Sequence, residues 1–222
     1  QNNSIQESMQ IYLEQITREI DSDYYDMIGI VNQMSPNGLI GNVTERYLSA
    51  EDNYDRYFEQ KSLREELIKL GYVNTKLLGI AYYDPKEQKE LIGNFNVRVL
   101  DPSYQTISKV IVGAENIIQA MHASYLGIKE TPVLSVMRRV SFGNKRVLDI
   151  YAEMEPDMSV SDRLNKEKWP YTYMELDENG IVQYSNNPVI VKGQKLLSEL
   201  PEKEGYAAIN QEGYKIMAYR SS

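Results

Sequence analysis

With 222 residues, 24 Lys and Arg against 32 Asp and Glu and a formal net charge of −8, the chain is long enough to bury one large core or two small ones. Its cations are scattered, so a nucleic-acid backbone would on average be repelled. The absence of cysteine excludes disulfides, thiolate metal sites and a cysteine nucleophile, and it suits an exported protein made without reliance on disulfides.

In chain order, Ile5, Met9, Tyr12, Ile16, Ile20, Tyr24, Met27, Val31 and Met34 recur at helical spacing. They predict one amphipathic helix of roughly 30 residues, about 45 Å long, ending before Ser35-Pro36-Asn37-Gly38. Residues 43–70 are polar and tyrosine-rich, with helical spacing clearest at Tyr54, Tyr57 and Phe58 and from Leu63 to Leu70, and Gly71 is expected to cap that helix. Residues 76–84 (KLLGIAYYD) read as a strand, Asp84-Pro85-Lys86 as a turn, and residues 91–99 as a weaker second strand. A connection over 101–127 is expected to hold a helix near 114–125, where Ile117, Ile118, Met121 and Tyr125 share a face. No apolar run of about 18 residues and no leader pattern occurs, so no segment is expected to cross a membrane or direct export.

Two strands follow, residues 132–141 (PVLSVMRRVS) and 146–154 (RVLDIYAEM), around Gly143-Asn144. Glycine first in a two-residue loop signals a type II′ hairpin. Pairing Phe142 with Lys145 sets Val140 opposite Val147, Arg138 opposite Asp149 and Val136 opposite Tyr151. Leu148, Ile150, Ala152 and Met154 then line the other, apolar face. Residues 158–168 (MSVSDRLNKEK) read as a short capped helix. Residues 171–177 and 181–185 flank Glu178-Asn179-Gly180 as a hairpin, and 206–209 with 214–219 form another around Gln211-Glu212-Gly213. The order hairpin, connection, hairpin thus occurs twice, which predicts two meander sheets, each covered on one face by helix, in an α+β chain.

The long N-terminal helix, YYDPKEQKEL, PVLSVMRRV, RVLDIYAEM, SVSDRLNKE and YMELDENGIVQYS together resemble the extracellular Cache sensor region of YesM-type bacterial sensor histidine kinases. The resemblance implies an N-terminal stalk helix over 1–35, a membrane-distal PAS-like sensor module over 36–155 and a smaller membrane-proximal PAS-like module over 156–222. It also implies a homodimer through the N-terminal helix, and a small-molecule ligand or solute-binding protein as partner. The location it implies is the outer face of the bacterial membrane, held by flanking segments. Such receptors continue through a last strand beyond Tyr219-Arg220-Ser221-Ser222, so the second module is expected to be incomplete. An amino-acid-binding signature seen in many double-Cache receptors, a strand-borne Tyr and Arg followed by a Trp-Tyr-x-Asp cluster, is missing, which does not support an amino-acid ligand.

The hairpin register brings Arg138, Asp149 and Tyr151 onto one sheet face. A guanidinium and a carboxylate beside an aromatic ring could grip a zwitterion, a set of sugar hydroxyls or a peptide terminus, or could be a cross-strand ion pair on a wet face. Tyr82 and Tyr83 alternate, so one of them joins this wall, and Tyr125 would sit over it from the connection helix. Arg139 points the other way and needs its own partner there. The outer module is expected to hold a solute-sized hollow against this wall. The composition, 18 Tyr against 3 Phe and 1 Trp, favours recognition surfaces, and sugars are a reasonable ligand class.

His122, the sole histidine, is read as a packing or solvent-facing residue, since a triad or metal site needs partners that the sequence does not supply. Carboxylate pairs such as Asp149 with Glu153 and Asp177 with Glu178 could serve a glycosidase, yet strand-edge and turn roles explain them. No catalytic residue, metal or cofactor is therefore expected. The function expected is ligand sensing in a transmembrane receptor, most simply a histidine kinase. The alternatives are a chemoreceptor ectodomain and a secreted carbohydrate-active hydrolase or surface binding protein.

Overall fold

A computed structural model of the chain describes residues 2–94, 104–105, 108–109, 113, 115–127, 132–156, 171–196, 205–211 and 214–220. The expected strand beyond residue 94 and the helix over 158–168 lie outside the described residues. Contacts divide the chain into two compact units, Asp23–Pro156 on the one hand and Gln1–Ser22 with Asp157–Ser222 on the other. The fold is α+β, and its first element is the long helix α1 (Asn2–Met34). Among the described residues no helix is long and apolar enough to cross a membrane.

In the unit Asp23–Pro156, α1 ends with Ser35 N–H donating to the Val31 carbonyl at 2.9 Å and Asn37 at φ 69°. The chain then turns so sharply that a Cβ on Gly41 would lie 1.8 Å from the Ser35 carbonyl oxygen. Only glycine tolerates that approach. Helix α2 (Leu39–Ser49) leads into α3 (Asn53–Val73), whose Asp52 cap accepts the Asp55 N–H at 2.8 Å. Leu63, Leu67 and Leu70 form the buried stripe of α3. This helix runs past Gly71, and Asn74 closes it by donating its backbone N–H to the Leu70 carbonyl at 3.1 Å. The expected glycine cap is thus corrected: Asn74 also donates its side-chain amide to the same carbonyl at 2.9 Å.

Strands β1 (Leu77–Asp84), β2 (Lys89–Gly93), β3 (Asn116–His122), β4 (Val133–Ser141) and β5 (Val147–Met154) form one antiparallel sheet in the order β2-β1-β5-β4-β3. This is not the expected meander, because β5 inserts between β1 and β4. Nor do residues 115–125 form the expected helix, residue 114 lying outside the described residues. Ile117, Ile118, Gln119 and their neighbours pair with β4 instead, and completing the ladder on the open edge of β4 overrides a weak helical spacing that contains two β-branched residues.

The β4–β5 register differs by one residue from the expected one. Arg139 lies opposite Asp149, Arg138 opposite Ile150, Met137 opposite Tyr151 and Val140 opposite Leu148. The loop has three residues, Gly143-Asn144-Lys145, closed by Phe142 N–H to the Arg146 carbonyl at 2.9 Å, with Lys145 at φ 61°. Hydrophobic pattern decided between the two loops: this register sets Val136, Val140 and buried Phe142 on the side of Leu148, Ile150 and Ala152, whereas the two-residue loop would bury Arg139 there.

The other unit has two separate pairs among the described residues, β6 (Met174–Leu176) with β7 (Val182–Ser185) and β8 (Gly205–Gln211) with β9 (Tyr214–Arg220). Asn179-Gly180 lies in a three-residue loop, with Gly180 at φ 76° and the Asp177 carboxylate accepting the N–H groups of Asn179 and Ile181 at 2.8 and 3.0 Å.

Candidate functional site

Directly opposed residues of antiparallel strands share a face, so the register sorts the sheet into two sides. On the first lie Ile80, Tyr82, Val136, Arg138, Leu148, Ile150 and Ala152. This side meets the C-terminal end of α1. The Tyr82 hydroxyl donates to the Met34 carbonyl at 2.5 Å, and Arg138 donates to Ser35 Oγ at 3.0 Å and to Asn116 Oδ1 at 2.7 Å. Two expected wall residues, Tyr82 and Arg138, are therefore on the helix-packed side and fasten it.

The second side carries Tyr83, Ser135, Met137, Arg139, Asp149, Tyr151 and Glu153. Here the expected wall residues Tyr83, Asp149 and Tyr151 meet, and Tyr125 joins them from the turn after β3, not from a helix. Tyr104 and Arg139, which the expected wall did not include, complete the group.

Asp149 is fully buried and fully used. It accepts Arg139 Nε at 2.7 Å, Arg139 Nη2 at 3.1 Å and Ser108 Oγ at 2.5 Å. The guanidinium also donates to the Ser108 carbonyl at 2.6 Å, which ties residue 108 to the strand. A carboxylate in such a fork is neutralised in place.

Glu153, also fully buried, gathers three donors at 2.6 Å: Ser124 Oγ, the Tyr125 backbone N–H and the Tyr151 hydroxyl. Burial pushes its carboxyl above the usual carboxylate range, against the pull of those donors. It anchors the turn that carries Tyr125. His122, at the end of β3, stacks on Tyr125 with ring centroids 4.0 Å apart. Its Nδ1 is 2.6 Å from the Ala123 carbonyl, so that nitrogen carries a proton, and its Nε2 is 2.6 Å from Ser135 Oγ.

Tyr104 occupies the middle of this side. Its ring meets Tyr83 edge-on at 4.5 Å, Tyr151 at 5.0 Å and Tyr125 at 6.4 Å, with Met137 and Leu126 in the same cluster. The expected hollow is therefore filled at its centre, among the described residues, by a side chain of the chain itself. Beside it opens a cleft of about 140 Å³ lined by Tyr83, Pro85, Gln88, Gln105, Ser108, Lys109 and Arg139.

The overall fold is shared with solved structures. The extracellular domain of a protein assigned as a histidine kinase superposes with a TM-score of 0.52 at 14% identity, over 97% of this chain and 88% of that one. The ligand-binding domain of the Pseudomonas fluorescens chemoreceptor CtaA, solved with L-isoleucine, gives 0.51 at 10% identity, over 98% and 87%. The fold is that of an extracellular sensor domain. No family model matches the chain and no curated protein matches it in sequence, so the likeness is one of fold, Cache-like and PAS-like in kind. Both superpositions take in nearly the whole of this chain, in which a long helix is followed by antiparallel sheet.

The sequence did carry a signal for the polar side. Asp149, Tyr151 and Glu153 alternate with Leu148, Ile150 and Ala152; on a strand buried on both sides, such alternation marks an internal polar face. Tyr104 and Ser108 come from a connection and had none.

Proposed function

We propose that the chain is the extracellular ligand-sensing part of a bacterial transmembrane receptor, a sensor histidine kinase of the YesM type, and that it binds a small solute or a solute-loaded binding protein. The unit Asp23–Pro156 is the membrane-distal sensing module, and residues 157–222 belong to the smaller proximal one. The observation that carries this reading is the sensor-domain fold over nearly the whole chain, with a buried polar and aromatic face on its five-stranded sheet. The resemblance noted in the sequence points to the same class.

The sensing module itself does no chemistry in this reading. Asp149 is held by Arg139 and Ser108, and Glu153 by three donors, so neither is poised as the acid or nucleophile of a glycosidase. Solute bound beside Tyr83 and Arg139 would shift the balance between two arrangements of the sheet against α1, which Tyr82 and Arg138 fasten, and a dimer formed through α1 would pass that shift inward. The same fold serves the chemoreceptor CtaA, which keeps a chemoreceptor ectodomain as the second reading.

The test is a thermal-shift screen of the 222-residue chain against sugars, organic acids and amino acids, since a ligand of the native state raises its melting temperature. A shift that saturates with concentration and weakens in Arg139→Met is expected. A receptor carrying this ectodomain that changes its output with none of the hits would overturn the reading.

A further inference from the structure

Within the sensor reading, on which this inference rests, the buried tyrosine cluster has one peculiarity. The hydroxyls of Tyr83 and Tyr104 are both buried without a hydrogen-bond partner, in side chains 1% and 0% exposed. A buried phenol without an acceptor is a standing penalty, and native interiors rarely keep two of them side by side. The two rings touch, 4.5 Å between centroids. Asp149, Glu153 and Tyr151 on this side of the sheet have short partners, while one carboxyl oxygen of Glu90, opposite Tyr83, and the side-chain amide nitrogen of Gln119, opposite Ser135, are also buried without one.

We infer that Tyr104 is a stand-in for the ligand: its ring fills a ring-sized seat between Tyr83, Tyr125, Tyr151 and Met137, and a ring-sized organic acid displaces it. The seat supplies ring edges and a thioether, which suit a flat apolar body. Tyr83 supplies a hydroxyl that lacks an acceptor. Tyr83 also lines the adjoining cleft, whose rim holds Lys109 and Arg139 and, among the described residues, no carboxylate; Asp149 is committed beneath Arg139. An acidic group at the mouth of the seat would accept a hydrogen bond from the Tyr83 hydroxyl and face both cations. Displacement would release the Tyr104 hydroxyl to water, so both unpaired groups gain partners in one step. Until then the plug lowers apparent affinity by the fraction of molecules in which the seat is open.

The experiment compares wild type, Tyr104→Ala and Tyr104→Ala/Tyr83→Phe, using benzoate and toluene as probes of equal ring size with and without an acceptor. A stand-in predicts that Tyr104→Ala lowers the melting temperature by only a few degrees, well short of the roughly 10 °C expected for emptying a well-packed core tyrosine. It predicts that Tyr104→Ala binds benzoate at least about 10-fold more tightly than wild type does, and about 10-fold more tightly than it binds toluene, the latter preference vanishing with Tyr83→Phe. Nitration of Tyr104 by tetranitromethane in the wild-type chain, followed by mass spectrometry, reads displacement without any substitution and should rise with added benzoate. A large loss of stability with no gain in benzoate binding, or nitration that ignores benzoate, would make Tyr104 an ordinary core residue. That result leaves the sensor reading standing with its ligand in the adjoining cleft. Tight benzoate binding by the variant in a receptor that answers no solute would retire the sensor reading and keep the seat.

Discussion

The ion pair of Arg139 with Asp149 is the sharpest consequence of the register. Asp149 has no exposed side-chain surface and Arg139 has 24%, so replacing Arg139 by Met strips a buried carboxylate of two of its three donors and leaves it Ser108 alone. Removing one partner of a buried pair typically costs about 3–5 kcal/mol. Because the guanidinium is partly wet and Ser108 remains, we expect the lower end, about 3 kcal/mol, or a fall of roughly 6–12 °C in melting temperature. Asp149→Leu alone should cost a similar amount through the stranded guanidinium, and the double variant should recover much of it. Urea unfolding followed by far-ultraviolet circular dichroism would give a coupling energy of about 1.5–3 kcal/mol for Arg139 with Asp149. Arg138, opposite Ile150 and bonded to Asn116 and Ser35, should show coupling to Asp149 within about 0.5 kcal/mol of zero. Strong coupling of Arg138 and none of Arg139 would restore the two-residue hairpin and dissolve the face on which the candidate site rests.

Other expectations concern the remaining elements. Tyr82→Phe removes the hydroxyl that donates to the Met34 carbonyl and should cost about 1 kcal/mol in urea unfolding while solute-induced thermal shifts persist, since Tyr82 lies on the opposite side of the sheet. Lys145 has φ 61°, so Lys145→Gly should raise the melting temperature by the equivalent of about 1 kcal/mol and Lys145→Val should lower it; equal effects would contradict the three-residue loop. Burial raises the Glu90 carboxyl from its ordinary 4.5 to about 7, outweighing the opposing influence of Arg64. The native state thus holds this proton more tightly than the unfolded chain does, so the contribution of Glu90 to stability falls as pH rises from about 4.5 through about 7. The difference in unfolding free energy between wild type and Glu90→Gln, measured at pH 4 and pH 8, should shift in favour of the glutamine variant at the higher pH; a difference independent of pH would refute the raised value.

What the sequence made legible, and what it hid, follows from which interactions are local. The 3.6-residue period of α1 is a property of the segment itself, repeated from Ile5 to Met34, and α1 spans Asn2–Met34. Residues 76–84 and 146–154 were equally readable, because each gathers strand-favouring residues, Ile80, Tyr82 and Tyr83 in the first and Val147, Ile150 and Tyr151 in the second, next to a clear turn. Residues 114–125 carried a helical spacing, but Asn116–His122 became a strand because β4 offered an unpaired edge, a fact that no window of twelve residues contains.

The hairpin at Gly143 shows how a turn signal and a face can compete. Glycine favours the two-residue loop by a local preference of about 1 kcal/mol, whereas a slip of one residue moves Val136, Val140 and the guanidinium of Arg139 each to the wrong side of the sheet. One arginine lies on the apolar side in either register, Arg138 here and Arg139 after a slip, so it is the apolar side chains Val136 and Val140 that outweigh one turn preference, at about 1.5–3 kcal/mol for each large apolar side chain taken from water. The pattern was readable before the loop: with Leu148, Ile150, Ala152 and Met154 declared apolar, the partner strand must offer Val136 and Val140 to them, which leaves Arg139 to Asp149. The composition of the face then follows, since a carboxylate with no exposure must find a cation at the same level of the sheet. Tyr104 has no such logic, as it arrives from a connection whose path depends on the sheet being already assembled. The residue that decides whether this face is a filled core or an occupied site is therefore the one that sequence pattern could not place.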